Sequence, residues 1–297
     1  MVKIFTDSTS YIPKELREKY DITLLDITII LDGERYSETE LPNSLFYQIV
    51  DKKNVVLEIE APAVEYVTDL FKKETDQGNR VLGIFNSSKM TEIFSIATRA
   101  KNIVLKNAAD AKIHLIDSQT FGMELGLAVI AAAKANAKGA WLENVAEAAY
   151  KVMQRSRYIF VPANLKSISK VGNMEKGQAF VGDLLQMRPI LTLKNGEIDA
   201  LEITRKQKNG IEKIIDIMDD DARLFGLSNI IIAHINAESK AEELKQRLSS
   251  KVETEIFISS IGASVGYYIG PGTLGVIYQT EDIHPSNENV KIPRAIV

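Results

Sequence analysis

The chain has 297 residues, of which 45% are hydrophobic and 26% are charged, a composition that excludes a disordered chain, a collagen and a coiled coil. Its 36 basic and 40 acidic residues give a net charge of −4, so composition offers no basic excess for nucleic-acid binding. Cysteine is absent, which excludes disulfides, a thiolate nucleophile and cysteine-ligated metals.

The first half of the chain reads as strands that alternate with helices. Continuous apolar runs predict strands over residues 2–5, 22–31, 81–85 and 113–116. Amphipathic or small-residue stretches predict helices over residues 62–73, 91–107, 124–137 and 141–156. Asp32-Gly33 predicts a hairpin turn. Because strands joined by crossover helices pair in parallel, we predict a mostly parallel sheet with flanking helices.

Polar, hydroxyl-bearing loops follow three of these strands. They are Thr6-Asp7-Ser8-Thr9, Asn86-Ser87-Ser88 and Asp117-Ser118. Ligands of parallel sheets bind at the carboxyl ends of the strands, where such loops lie. Ser87 and Ser88 precede a predicted helix, so they fit an anion site at its first amides, but a simple serine cap explains them better when they are taken alone.

The second half mixes a hairpin with strand–helix–strand units. Strands are predicted over residues 158–161, 190–193, 198–204, 230–234, 255–258 and 274–279, and helices over residues 210–218 and 238–249. Asn195-Gly196 is a strong hairpin signal. We therefore predict an α/β fold of two domains, residues 1–157 with the parallel sheet and residues 158–297 with a mixed sheet.

The common catalytic and targeting signals are missing. His114, His234 and His284 lack metal-ligand spacing and read as structural or surface residues. No nucleophile elbow, dinucleotide fingerprint or phosphate loop occurs. No stretch reaches the roughly 20 apolar residues of a membrane span, and the first apolar run is too short for a signal peptide. We expect a cytoplasmic protein without a metal or redox cofactor.

Several short motifs follow one another in a characteristic order along the chain. Besides the Thr6 and Asp117 loops, they are Ser87-Ser88-Lys89-Met90-Thr91, the stretch from Gly182 to Leu191 (Gly-Asp-Leu-Leu-Gln-Met-Arg-Pro-Ile-Leu), Arg205, and Gly270-Pro271-Gly272 before Leu274-Gly275. With these motifs the chain resembles the DegV family, bacterial fatty-acid-binding proteins also called FakB. The resemblance implies two α/β domains, a buried apolar tunnel for an acyl chain, and a carboxylate held near the hydroxyl loops. In members studied as FakB, a separate fatty acid kinase phosphorylates that carboxylate.

The sequence departs from the family pattern where the head group is expected. Ile59-Glu60-Ala61-Pro62 replaces Thr-Ser-Gln-Pro, and Thr91-Glu92-Ile93 replaces Ser-Gly-Thr. Asn173 stands where the family has an arginine, and Tyr268 where it has a histidine. Loss of that arginine and histidine counts against a kinase-coupled role.

The resemblance implies a set of residues that contact the fatty acid. Ile59 and Ile93 are expected as apolar walls, and the expected donors are Ser87, Ser88, Thr91, Asn173 and Tyr268. Two interpretations of the head group follow: neutral donors hold a carboxylate, or Glu60 or Glu92 repels it and a neutral lipid is preferred.

Two other functions stay open on the sequence alone. One is an enzyme for a small anionic substrate, with Asp7 or Asp117 as base and Lys89 or Lys170 as cation. The other is a regulatory or partner-binding protein in which lipid is only a structural filler.

Overall fold

The computed structural model describes residues 1–50, 55–163, 188–204 and 207–293. The α-helices of this part are α1 (Lys14–Lys19), α2 (Asn43–Val50), α3 (Val64–Asp76), α4 (Ile93–Asn107), α5 (Met123–Ala137), α6 (Leu142–Met153), α7 (Gln207–Phe225), α8 (Glu238–Ser249) and α9 (Ala263–Ile269). The strands are β1 (Val2–Asp7), β2 (Ile22–Leu25), β3 (Thr28–Leu31), β4 (Glu34–Ser37), β5 (Leu57–Glu60), β6 (Arg80–Phe85), β7 (Ile113–Asp117), β8 (Ser156–Val161), β9 (Arg188–Lys194), β10 (Glu197–Thr204), β11 (Asn229–His234), β12 (Ile256–Ser260) and β13 (Leu274–Gln279).

A four-stranded parallel sheet, in the order β2-β1-β6-β7, frames the first half of the chain. Its central strands are almost wholly buried, as expected for strands covered by helices. Helices α3 to α6 pack against it. The predicted parallel sheet with flanking helices is confirmed.

The second half forms a six-stranded mixed sheet in the order β10-β9-β8-β13-β11-β12. β11 and β12 are parallel and are connected through α8, while the other neighbours are antiparallel. The β9–β10 hairpin turns at Asn195 and Gly196, whose φ angles of 53° and 83° suit a two-residue turn with two left-handed positions. The predicted mixed sheet and its hairpin are confirmed.

A small antiparallel sheet, β4-β3-β5, completes the fold. Asp32 and Gly33 form the predicted β3–β4 turn, again with positive φ angles. The strand predicted over residues 22–31 is wrong in one respect, because it is two strands in different sheets, interrupted at residues 26 and 27. β5, which the sequence analysis left unassigned, pairs with β3 and brings Ile59 beside Ile29.

Helix α7 differs from its predicted bounds. The prediction ended the helix at Met218, yet it continues to Phe225. Asp219, Asp220 and Asp221 resemble a solvated helix end, but Asp221 is only 7% exposed and is paired with Arg157, so the last turns stay attached to the sheet.

The strands of the two halves of the chain belong to different sheets. Strands up to Asp117 belong to the four- and three-stranded sheets, and strands from Ser156 onward to the six-stranded sheet. The main hydrophobic core nevertheless continues through both halves and includes Phe85 and Phe160. The division into domains 1–157 and 158–297 stays a prediction. Within the described ranges, no helix combines the length and apolar character that crossing a bilayer requires.

Candidate functional site

The polar loops after β1, β6 and β7 meet at one edge of the parallel sheet. The N–H of Asn86 donates to Asp7 Oδ2 over 2.8 Å, and the N–H of Ser118 donates to the carbonyl of Phe85 over 3.0 Å. The N–H of Ser88 donates to Asp117 Oδ1 over 3.2 Å. This convergence follows from parallel strand order, which places the carboxyl ends of neighbouring strands side by side.

Asp7 is the buried centre of these loops. Besides the Asn86 amide, it accepts hydrogen bonds from the backbone N–H and the hydroxyl of Thr9. Burial raises the pKa of Asp7, and the hydrogen bonds from Asn86 and Thr9 act in the opposite direction. Asp7 is fully buried, and its three hydrogen bonds hold the loops after β1 and β6 together.

A cavity of about 760 Å³ lies beside this edge. Its volume is within the range of small-molecule sites. The lining residues come from both halves of the chain and are Thr9, Ile27, Ile59, Glu60, Ala61, Pro62, Ala63, Val64, Asn86, Met90, Thr91, Glu92, Ile93, Ile96, Arg99, Ile198, Ser264, Val265, Tyr268 and Ile269.

Most of the cavity wall is apolar. On α4, Ile93 and Ile96 are three residues apart and therefore lie on one face of the helix. Val265 and Ile269 present a similar pair from α9, and Ile59 comes from β5. Such a wall excludes water and favours an aliphatic ligand.

One part of the wall is polar and holds atoms without partners. Among the described residues, Asn86 Oδ1 and Thr91 Oγ1 are buried and have no hydrogen-bond partner. Leaving such an atom unpaired costs about 1–3 kcal/mol. Two of them in one cavity wall therefore point to a polar ligand group.

Glu38 is buried next to this polar region and does not line the cavity. Its carboxylate is 6% exposed and accepts from the N–H of Ser264 at 3.0 Å and from the Ser264 hydroxyl. Ser8 Oγ and the Tyr11 hydroxyl donate to it over 2.6 and 3.2 Å. Burial raises the pKa of Glu38, opposed by these hydrogen bonds. Glu38 thereby fixes the start of α9 against the first half of the chain.

Three charged residues line the cavity: Glu60, Glu92 and Arg99. Glu60 is paired with Arg35 on β4, and the hydrogen bond from Arg35 lowers the pKa of Glu60. Within the described part of the chain, no cluster of His, Asp and Glu side chains is arranged to hold a metal ion.

The structure brings four of the seven predicted contact residues to the cavity, namely Ile59, Thr91, Ile93 and Tyr268. Ser87 and Ser88 are not among the lining residues: Ser87 Oγ donates to the carbonyl of Gly196 over 2.6 Å, and Ser88 Oγ donates to Asp117. Asn173 lies outside the described residues. A contact with ligand stays a prediction for all seven.

Several lining residues are not among the predicted ligand contacts, and they include Asn86, Ser264 and Arg99. Asn86 begins a loop that was already singled out, and Arg99 could have been found from its spacing of three to Ile96. Nothing in the local sequence marks Ser264.

Within the described part of the chain, the groups considered for catalysis are paired with other protein groups. Asp117 accepts hydrogen bonds from Ser88 and from the N–H of Gln119, and Lys89 Nζ lies 3.7 Å from Glu197. Lys170 lies outside the described residues.

Comparisons with known proteins agree with this architecture. A family model described as "Uncharacterised protein, DegV family" matches residues 1–281. A DegV domain-containing protein of Clostridium acetobutylicum is 34% identical over 280 residues, covering 94% of this chain and 98% of that protein. The crystal structure of DegV from Bacillus subtilis, described as a fatty acid binding protein, is 28% identical with a TM-score of 0.83, covering 94% of this chain and 99% of that one.

A second solved structure is similar in the same way. It is a Thermotoga maritima protein described as having a fatty acid binding function, 25% identical with a TM-score of 0.77, covering 94% of this chain and 99% of that one. Since the family model spans nearly the whole sequence, this chain belongs to the DegV family.

Proposed function

We propose that the protein binds a long-chain fatty acid in the 760 Å³ cavity and carries it without transforming it. The observation that supports this most directly is the cavity itself, with an aliphatic wall and a polar region holding two unpartnered buried atoms. The fatty acid binding named for the B. subtilis and T. maritima structures supports the same reading.

The energetics assign different tasks to the two parts of the cavity. Each buried CH₂ contributes about 0.8 kcal/mol, so a C16 chain gains more than about 10 kcal/mol before the costs of ordering. The apolar wall, including Ile59 and Ile93, supplies affinity. The polar region, including Thr91 and Tyr268, sets which end of the ligand lies there.

The remaining parts of the proposal rest on the sequence. Ser87, Ser88 and Asn173 stay predicted contacts, and Ser87 and Ser88 would act by holding the loop that carries Thr91. A cytoplasmic location and a carrier role without catalysis are likewise predictions, and the loss of the family arginine and histidine counts against a fatty acid kinase as partner.

Extraction of purified protein followed by mass spectrometry tests the proposal first, and we expect a long-chain fatty acid. The delipidated protein is then titrated with palmitic acid. Ile59→Trp, which fills the cavity, should weaken binding at least about tenfold, a change of about 1.4 kcal/mol. Leu201→Trp is the matched control, because Leu201 lies on β10 outside the cavity and is 39% exposed.

Absence of fatty acid from the extract together with no saturable binding would overturn the proposal. Bound lipid that stays through repeated delipidation and never exchanges would identify a structural filler instead of a carried ligand.

A further inference from the structure

Two hydroxyl protons in the polar region of the cavity, those of Thr9 and Ser264, are already donated to buried carboxylates. The hydroxyl of Thr9 donates to Asp7, which also accepts two backbone N–H groups. The hydroxyl of Ser264 donates to Glu38, on which donors from Ser8 and Tyr11 converge as well. Thr9 and Ser264 therefore have only lone pairs left to offer.

The same network fixes the orientation of the Asn86 side chain. Because the proton of Thr9 Oγ1 goes to Asp7, that oxygen is an acceptor toward Asn86, and the contact of 2.8 Å is made by Asn86 Nδ2. Asn86 Oδ1 is consequently the unpartnered atom, and it can only accept. Asn86 is 1% exposed, so bulk water does not satisfy it.

Two hydroxyls that line the cavity can still donate. Thr91 Oγ1 is buried without a partner among the described residues, and Tyr268 is 36% exposed. The polar region thus presents hydrogen-bond acceptors at Asn86 and Ser264, next to the hydroxyls of Thr91 and Tyr268, which can either donate or accept. A carboxylate can only accept, so it would leave Asn86 Oδ1 unpaired.

The charges around this region also disfavour an anion. Asp7 and Glu38 lie directly behind Thr9 and Ser264, and Glu92 lies in the wall beside Glu60, whose charge is balanced by Arg35. Among the described lining residues the cation is Arg99, six residues or about 9 Å of helix axis beyond Ile93. A buried anion without a nearby cation is costly and tends to take up a proton.

We propose that this site takes its lipid head group in an uncharged form that both donates and accepts a hydrogen bond. The ligand class is a protonated long-chain carboxylic acid, and the matching fatty alcohol or primary amide fits in the same way. The head-group O–H or N–H donates to Asn86 Oδ1, and its oxygen accepts from Thr91. This inference rests on the proposed function and specifies the chemical form of the ligand.

Carboxyl-¹³C palmitic acid bound to the delipidated protein tests the proposal by NMR, since the carboxyl shift reports ionisation. Free carboxylic acids ionise near pH 4 to 5, so a titration from about pH 5 to about pH 9 separates the possibilities. We expect the bound acid to be protonated at about pH 7 and to ionise only above it. A bound acid that is already ionised at about pH 6 overturns the inference and leaves the proposed function standing. Absence of any bound signal overturns the proposed function, and this inference with it.

Competition between ligands of equal chain length gives a second measurement on the unmodified protein. Hexadecan-1-ol should bind at least about tenfold more tightly than hexadecane-1-sulfonate, which cannot take up a proton at these pH values. Equal binding of the two, or preference for the sulfonate, contradicts the inference.

Asn86→Leu removes the acceptor Oδ1 and should reduce the preference for hexadecan-1-ol over hexadecane-1-sulfonate severalfold. Asn107→Leu is the matched control, since Asn107 is an exposed α4 residue outside the cavity. If the folded Asn86→Leu protein keeps the same preference for the alcohol over the sulfonate, Asn86 does not determine the selectivity and its role in the proposal is wrong.

Discussion

Two buried polar regions of this molecule differ in whether their atoms are paired. At the six-stranded sheet, Asp221 Oδ2 accepts from Arg157 over 2.6 Å, from His284 over 3.1 Å and from the Tyr278 hydroxyl. The other ring nitrogen of His284 accepts from the N–H of Ser286, which fixes the histidine as a donor to Asp221. We call these four residues (Arg157, Asp221, Tyr278 and His284) the Asp221 cluster.

The polar region of the cavity is built from the same kinds of groups but leaves two atoms, on Asn86 and Thr91, without partners among the described residues. Protein stability favours the arrangement of the Asp221 cluster, because unpaired buried groups are penalised. If the unpaired groups bind ligand, as proposed, substitutions in the two regions should affect stability in opposite directions.

The largest expected effect is in the Asp221 cluster. Asp221→Asn removes the charge that balances the partly buried Arg157, and breaking a buried pair typically costs about 3–5 kcal/mol of unfolding free energy. Burial by itself would raise the pKa of Asp221, but hydrogen bonds from His284, Tyr278 and Arg157 bring it down to about 2. Because the pKa of Asp221 is lower in the folded protein than the unfolded value of about 4, ionised Asp221 stabilises the fold above about pH 4. This stabilisation is lost as the pH falls toward about 2.

Denaturant unfolding of wild type and Asp221→Asn at several pH values checks this. The gap between the two proteins should be full near neutral pH and shrink on acidification. Palmitic acid affinity of the folded variant should be unchanged. A gap that stays constant down to about pH 2 would show that the charge of Asp221 does not carry the effect.

The effect expected at Glu124 is of intermediate size. Glu124 is buried in α5 and accepts a hydrogen bond from the Thr120 hydroxyl. Burial raises the pKa of Glu124 to about 7. The folded state then binds more protons than the unfolded state between about pH 4.5 and about pH 7, so stability falls as pH rises through that window. At about 1.4 kcal/mol per unit, the loss is about 3 kcal/mol.

Glu124→Gln lacks this titration. Its unfolding free energy relative to wild type should therefore rise by about 3 kcal/mol between about pH 4.5 and about pH 8. Contributions from Asp7 and Glu38 cancel in that difference, because both proteins share them. Parallel stability curves for the two proteins would place the pKa of Glu124 near its ordinary value.

How far sequence could anticipate this picture depends on the range of the interactions. The Asn195-Gly196 turn and the polar loops after β1, β6 and β7 follow from local chemistry and from strand order, and they were predicted. β5 was missed because Glu58 and Glu60 are poor strand formers in a run of only four residues, and pairing with β3 supplies what propensity lacks.

The candidate site shows the same limit. Ile93 and Thr91 were identified as wall and donor, and both line the cavity. Ser87 looked equally available, yet its hydroxyl is taken by the carbonyl of Gly196, 109 residues away in sequence. The orientation of Asn86 likewise depends on a relay through Thr9 and Asp7 that no local pattern reveals.

Thr91→Val tests the unpaired region directly, with a smaller expected effect of the opposite sign. The substitution keeps the shape of the side chain and removes a buried hydroxyl that has no partner among the described residues. Stability of the ligand-free protein should rise by about 1 kcal/mol. Palmitic acid affinity should fall severalfold, as titration will show. A loss of stability would indicate that Thr91 is paired in the free protein.

The smallest effect is expected at Lys89, which spans the two halves of the chain through its 3.7 Å contact with Glu197. Both side chains are about half exposed, at 48% and 57%, and solvent screens such a pair, so Lys89→Ala should change the unfolding free energy by less than about 0.5 kcal/mol. Fatty acid binding should also be unchanged, because Lys89 does not line the cavity.

The same variant separates a carrier from an enzyme that uses Lys89 as its cation, since only the enzyme would lose affinity for an anionic ligand. A drop in palmitic acid affinity would place a charge contact at the loop after β6, where the geometry leaves the head group to Asn86 and Thr91.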